Sequence, residues 1–450
     1  MRRTLFVGLG GTGLKVINEV KNHFASKYKE IPHEIQFLGI DADLQALRNT
    51  LLNPSELCNL DICHPIGQLR VYKNRCDIDI PSKNETLIQC ITECGTGQCR
   101  SNGHFLYFCD SLHNESVKRA ISQKRNNMLC LPVSDKHQSK YIDIHLCFSL
   151  CGGFGSGCII EIAKLIRKVI PQSNIICYAF SQQLYKGLPV NWNVRSNEYA
   201  ALLEMDYECH KTAGEPNTRK LFDTFFYVGA QTYSAYGRFA NYVLDLSDVI
   251  HDTAYAMIIA ASSNSCAIND DLRTAELSGQ YDVGLQSTKK AWVSSFGISK
   301  IKFNSNRNID GMSEEELDSV VKSLIKRSRP LMDVNNCGLC VLMSSFNYLF
   351  IPKTICDVDN RLLDALKEHD PFMCIVYTDN VDYLTLYQQI GVIPPMFISG
   401  VSSGINGFVD AASCEDSFAK MIKNKQFSPF SKESYEDIFI GGFSLRSSDV

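Results

Sequence analysis

The chain has 450 residues, 45% of them hydrophobic and 21% charged, with 45 Lys and Arg against 49 Asp and Glu for a formal charge of −4. That length allows two or three domains with their own cores, and the composition excludes disordered, collagen-like and coiled-coil chains. No global basic excess points to nucleic acid or an anionic membrane, and no apolar run reaches the roughly 18 residues of a membrane-spanning helix.

The opening MRRTLFVGLGGTGL breaks its apolar run with glycines, so it reads as a first strand rather than a signal peptide, and a cytoplasmic protein is expected. Residues 4–7 predict that strand. Leu14, Ile17, Val20 and Phe24 mark one face of a following helix, and residues 35–40 a second strand ending in Asp41, which together make a βαβ unit. Residues 53–100 read as an elaborated loop region, with a helix resuming near Phe105. Next come a strand at 141–150, a helix at 159–170 with Ile159, Ile162, Ile166 and Ile170 inward, and a strand at 175–180. A strand over 221–229 precedes a helix over 241–261 that is apolar nearly all round. From Trp292 a second α/β unit is expected, with Ser313 and Glu316 as a capping box and strands near 338–343, 372–377 and 396–399.

The pattern is α/β: a doubly wound, Rossmann-like N-terminal domain, a long central helix and a smaller second α/β domain. The expected divisions are 1–240, 241–285, 286–401 and a Ser/Gly-rich extension at 402–450, with the domain boundary itself inside 262–290. The 19 cysteines are scattered, and Cys147, Cys177, Cys340 and Cys374 fall in predicted strands as small hydrophobes. Cys58, Cys63, Cys90, Cys94 and Cys99, and the pair Cys337 and Cys340, lack the matched spacing of a zinc site, so no metal site is assigned.

Two glycine-rich turns carry the chemistry. Gly8-Leu9-Gly10-Gly11-Thr12-Gly13 fits G-x-G-x-x-G between strand and helix, with Asp41 placed as a ribose-binding acid. Alone, it is the fingerprint of an NAD(P)-dependent oxidoreductase. Cys151-Gly152-Gly153-Phe154-Gly155-Ser156-Gly157 is a second such turn, which dinucleotide folds do not require. Glycines let a backbone approach phosphate closely, and helix N-termini offer unpaired N–H groups and a positive dipole end. Two such nests facing one cleft suit a di- or triphosphate.

With those turns in place, the sequence resembles the tubulin/FtsZ superfamily over about residues 1–400, most closely its prokaryotic tubulin-like branch. CGGFGSG is similar to the family's G-G-G-T-G-S-G. FLGIDADLQAL, residues 37–47, resembles a segment that places Asp41 and Asp43 by the nucleotide. GTGQCRSNGH, residues 95–104, resembles the loop around the terminal phosphate and implicates Gly95, Gly97 and Arg100. LFDTFFYVG looks like the strand ending beside guanine, with Gln231 or Ala230 falling where a base-recognising asparagine is expected, and SDVI like the start of the core helix, nominating Asp248. INDDLRTA, residues 268–275, is similar to the loop that reaches the next subunit's nucleotide.

The resemblance implies GTP or GDP with Mg2+ as counterion, and head-to-tail self-association into filaments. Nucleotide contacts would come from Gly8, Gly10–Gly13, Gly152–Gly157 and the 95–104 loop, with Arg195 and Asn197 ordering the sugar–phosphate region. Asn269, Asp271 and Glu276 would serve catalysis at the neighbour's phosphates. Phe154 stands where the family has threonine, and Thr274 where hydrolysing members carry an acid, so a nucleotide-sensing or interaction subunit without turnover is the alternative. By residue chemistry alone, Asp271 and Glu276 equally suit a solvated loop, Asp248 a helix N-terminal acid, and Asn197 a helix cap. The tail residues Ile438, Phe439, Ile440 and Phe443 either dock a protein partner or pack on the second domain.

Overall fold

The computed structural model describes residues 3–28, 30–60, 95–130, 142–185, 194, 197–198, 200–202, 204–205, 208, 221–229, 231–233, 239–243, 245–262, 294–302, 313, 315, 339–343, 348–351 and 372–380. Its centre is a run of strands so apolar that every residue of β1 (Thr4–Leu9), β4 (Ile142–Ser149), β5 (Ser173–Phe180) and β6 (Thr224–Val228) is buried. Strands buried on both faces are the mark of a parallel sheet covered by helices on each side. With β2 (Ile35–Asp41) and β3 (Leu57–Asn59) they run parallel in the order β3-β2-β1-β4-β5-β6.

The two faces divide residue by residue, because neighbouring side chains on a strand point opposite ways. Leu5, Val7 and Leu9 of β1 and Ile175, Cys177 and Ala179 of β5 join one core with α3 (Arg100–His113), α4 (Ser116–Leu129) and α5 (Phe154–Val169). Phe6 of β1 and Ile176, Tyr178 and Phe180 of β5 join the other, with α1 (Gly10–Lys27) and α6 (Leu246–Ser262). The sheet continues through β9 (Ser294–Lys302), which meets β6 at the Phe226 and Ser294 pair, and then antiparallel through β12 (Phe372–Asn380), β10 (Leu339–Met343) and β11 (Tyr348–Ile351).

The structure alters several sequence expectations. The loop region from residue 53 carries a 3-10 turn at Pro54–Glu56 and the edge strand β3, too short to show alternation. A second helix, α4, follows the one expected near Phe105. Helix α5 starts at Phe154, because the glycine turn is itself the first helical turn. The apolar stretch predicted as one helix from 241 begins instead with β8 (Phe239–Val243), paired antiparallel with β7 (Gln231–Tyr233). The helix waits for Asp245, whose carboxylate accepts the Asp248 N–H at 2.8 Å. Cys147 and Cys177 are buried, as the pattern implied. The strand at 396–399, the boundary at 262–290, Trp192, Trp292, Glu316, Cys63, Cys90, Cys94, Cys337 and the 402–450 extension lie outside the described residues. No described helix is long and apolar enough to cross a membrane.

Gly8 and Gly13 let α1 lie directly on the sheet: a Cβ on Gly13 would collide with the Cys147 carbonyl oxygen and lie 3.0 Å from the Gly8 carbonyl carbon. Gly13→Ala is therefore expected to cost about 1–3 kcal/mol, as overpacking does. The measurement is a lower urea midpoint with an unchanged slope.

Candidate functional site

Strand β1 leads to α1 on one face and β4 to α5 on the other, so the connections part between them. In doubly wound sheets a crevice opens at the carboxyl ends of the strands at that point. Here it is a cavity of about 500 Å³. Three helices begin beside it, and none of α1, α3 or α5 has a side-chain cap at its N-cap residue or an acid in its first turn. Helix N-termini of this kind suit an anion through their dipole ends and backbone N–H groups.

The structure brings half of the predicted residues together. Gly10, Gly11 and Thr12 from the first turn, Asp41 and Asp43 after β2, Gly95 and Gly97 before α3, and Cys151, Gly152, Gly153, Phe154 and Gly155 from the second turn all line the cavity. Gly10 has φ +69°, and the third loop takes Gly95, Gly97 and Gln98 through +72°, +56° and +61°. That left-handed region is cheap for glycine and strained for Gln98, so the loop holds a constrained curve with its backbone turned to the cavity.

The glycines do different work. A Cβ on Gly11 would meet nothing within 4 Å, and one on Gly152 nothing nearer than 3.8 Å. A Cβ on Gly153 would strike Thr96 and the Cys99 nitrogen, and one on Gly155 would lie 2.9 Å from the Leu9 carbonyl oxygen. Gly157 meets the Arg100 carbonyl and Gly103 the Gly153 carbonyl in the same way, which lets α3 and α5 cross almost backbone on backbone. Gly8, Gly13, Ser156 and Gly157 do not line the cavity, and the three glycines pack closely against backbone carbonyls.

Arg100 does not line the cavity either. Its side chain is fully buried, donates to Ser156 Oγ at 2.8 Å and Ser156 O at 3.0 Å, and is ion-paired to Glu204. Burial raises the Glu204 carboxyl and the Arg100 charge opposes that rise. This arginine holds the second turn against α3 rather than facing a ligand. Asn197 is likewise buried and does not line the cavity; its Nδ2 donates to Gln98 O at 2.8 Å and Cys151 O at 2.9 Å. Asp248 sits exposed in the first turn of α6, outside the cavity lining. Gln231 opens β7. Arg195, Asn269, Asp271 and Glu276 lie outside the described residues.

Sequence reasoning missed Ser149, Tyr185 and Val194, all on the cavity wall, while Thr96 and Gln98 fall in the 95–104 loop it had singled out. Tyr185 ends a 3-10 turn, Gln182–Tyr185, just past β5, and its hydroxyl is 2.7 Å from Thr12 Oγ1. The findable signal was position: Gln182–Tyr185 follows the carboxyl end of a strand next to the switch point.

Asp41 is 5% exposed, and its Oδ1 accepts the Ala42 N–H at 2.7 Å. Burial pushes its carboxyl up to about 6, although the backbone donors of Asp43 and Ala42 pull it down. Asp43 turns its Oδ1 to the Gln45 and Ala46 N–H groups at 2.9 and 3.0 Å and starts α2 (Leu44–Arg48). Because the folded Asp41 keeps its proton to higher pH than the unfolded one, stability falls as pH rises from about 4 through 6. Asp41→Asn keeps an acceptor for Ala42 and removes that cost. The empty protein should gain up to about 3 kcal/mol at pH 7, shrinking to nothing below about pH 4, as pH-dependent urea melts would show.

Comparison with known proteins follows this geometry. A family model described as tubulin like matches residues 70–322. No curated protein matches the chain. Among solved structures, CetZ from Methanosaeta thermophila is similar at 13% identity, covering 97% of each chain with a TM-score of 0.46. TubZ from Bacillus thuringiensis serovar israelensis, solved as a GTPγS-form protofilament, is 12% identical over 94% of this chain and 93% of its own, with a TM-score of 0.40. FtsZ from M. jannaschii is 14% identical over 84% of this chain and 92% of its own, with a TM-score of 0.39.

Proposed function

The chain belongs to the tubulin-like family, and on that premise we propose that it binds GTP and GDP in the cavity between α1 and α5 and self-associates head to tail. The observation that carries the reading is the convergence of three uncapped helix starts and their glycine turns on one cavity of about 500 Å³. A dinucleotide site needs one such turn; several around a single space suit a chain of phosphates gripped along its length.

In this reading the phosphates lie against Gly10–Thr12, Gly95–Gln98 and Gly152–Gly155. Asp41 and Asp43 are hard oxygen donors on the same wall, a donor set that fits Mg2+, which binds through one or two carboxylates and the phosphates themselves. The ion would neutralise phosphate charge that the glycine turns alone do not balance. Asp248 and Gln231 are assigned to the base, Arg195 to the sugar–phosphate region, and Asn269, Asp271 and Glu276 to the neighbouring subunit's terminal phosphate. A head-to-tail contact of this kind is heterologous and extends as a filament unless it closes a ring.

Phe154 supports a second reading, nucleotide held without turnover. It is buried at the first position of α5, on the cavity wall, and offers a ring where the family carries a hydroxyl.

The test begins with what the purified protein carries: denaturation, ion exchange and mass assignment should yield GDP or GTP near one per chain, and NAD or NADP would overturn the reading. With added GTP, phosphate release per subunit should rise with protein concentration and accompany a pelletable polymer. Asp271→Asn should abolish the release and leave GTP affinity within about twofold, since a residue supplied to the neighbour's site does not hold its own nucleotide. Polymer without phosphate release would select the second reading.

A further inference from the structure

The three cavity loops belong to distant parts of the sequence, yet one line of hydrogen bonds runs through all of them. Thr12, in the first loop, meets the Tyr185 hydroxyl at 2.7 Å. That hydroxyl also bonds Ser149, whose Oγ accepts the Cys151 N–H at 3.1 Å, at the base of the second loop. The Cys151 carbonyl then accepts from Asn197 Nδ2 at 2.9 Å, and the same amide nitrogen gives its other hydrogen to the Gln98 carbonyl, in the third loop, at 2.8 Å.

We propose that Tyr185 and Asn197 are positioning residues that fasten the three loops into one frame, set for an oligophosphate before it arrives. The proposal rests on the function proposed above and deepens it. Neither residue lies in a glycine turn; each reaches in from a separately anchored segment. Glu198, beside Asn197, accepts the Gln182 N–H at 3.0 Å and the Tyr227 hydroxyl, and Glu204 holds Arg100. The 3-10 turn carrying Tyr185 and the stretch carrying Asn197 are thus tied to each other and to β6.

Chemistry fixes the choice of side chains. Both acceptors of Asn197 are carbonyl oxygens, so the position needs two donors from one atom, which an amide nitrogen supplies and a carboxylate does not. Tyr185 has to span from β5 to α1 and end in a hydroxyl, since it meets hydroxyls at Thr12 and Ser149. Gln98 sits at φ +61°, a conformation held only by its surroundings, and Asn197 is the side chain bonded to its carbonyl. Loops ordered during folding need not be ordered again on binding, which is how preorganisation raises affinity.

The experiment measures GDP and inorganic pyrophosphate affinity, with Mg2+, for the full chain and for Tyr185→Phe and Asn197→Ala. Pyrophosphate has no nucleoside, so it senses the loops alone. Each variant should bind both probes about tenfold more weakly, the worth of one net hydrogen bond or slightly more. In nucleotide-free protein, amide exchange should quicken at Gly10–Thr12 in Tyr185→Phe and at Gly95–Cys99 in Asn197→Ala. Tyr185→Phe keeps the ring and its packing, so it remains informative if Asn197→Ala fails to fold. A loss for GDP with pyrophosphate unchanged would make these residues nucleoside contacts and overturn the frame. So would unchanged affinities for both probes. Wild-type protein that binds neither probe would overturn the function itself, and the frame with it.

Discussion

The divergence of two connections, from β1 to one face of the sheet and from β4 to the other, governs this molecule. Helices that leave adjacent strands in opposite directions cannot cover the strand ends between them, so a gap opens there whatever side chains are present. Packing energy cannot close it without breaking the alternation that assigns Leu5, Val7 and Leu9 to one core and Phe6 to the other. What the sequence decides is how the gap is finished. It does so largely with glycines, which stand on the cavity wall beside Phe154 and Tyr185.

That choice has an energetic cost, carried by buried polar groups elsewhere. Arg100 and Glu204 are withdrawn from water entirely, an arrangement that is costly unless both charges are paired and hydrogen-bonded. Ser156 supplies two acceptors to Arg100, and with them the second turn is held against α3. Asp41 is the opposite case: a carboxyl at the cavity wall whose charged form is not compensated by the protein alone. Burial raises both carboxyls, Glu204 and Asp41, and of the two only Asp41 stands on the cavity wall.

Much of this was legible in the sequence because it is local. The apolar runs of β1, β4 and β5 read as buried parallel strands, and the turns after β1 and β4 announced helix starts by their glycines. Asp41 followed from the end of β2, and Asp43 from the family resemblance of residues 37–47. Arg100 came from the resemblance of the 95–104 stretch, and its pairing with Glu204, distant in sequence, was not legible there. Tyr185 was invisible for a related reason: it meets Thr12 across 173 positions of sequence, and no periodicity reports such a meeting. The start of α6 was misplaced because strand and helix pack equally apolar residues there, and only the pairing of β7 with β8 separates them.

The glycines of the site differ in how freely they can change. Gly103, Gly153 and Gly157 leave no room for another atom between α3, the third loop and α5, so drift at these positions is closed to any lineage that keeps the fold. Gly11 and Gly152 face open space. New side chains can accumulate at these two, on the cavity's own surface, without disturbing the scaffold below. Divergence in ligand preference among descendants of this chain therefore has a narrow, identifiable route, and a rigid floor beneath it.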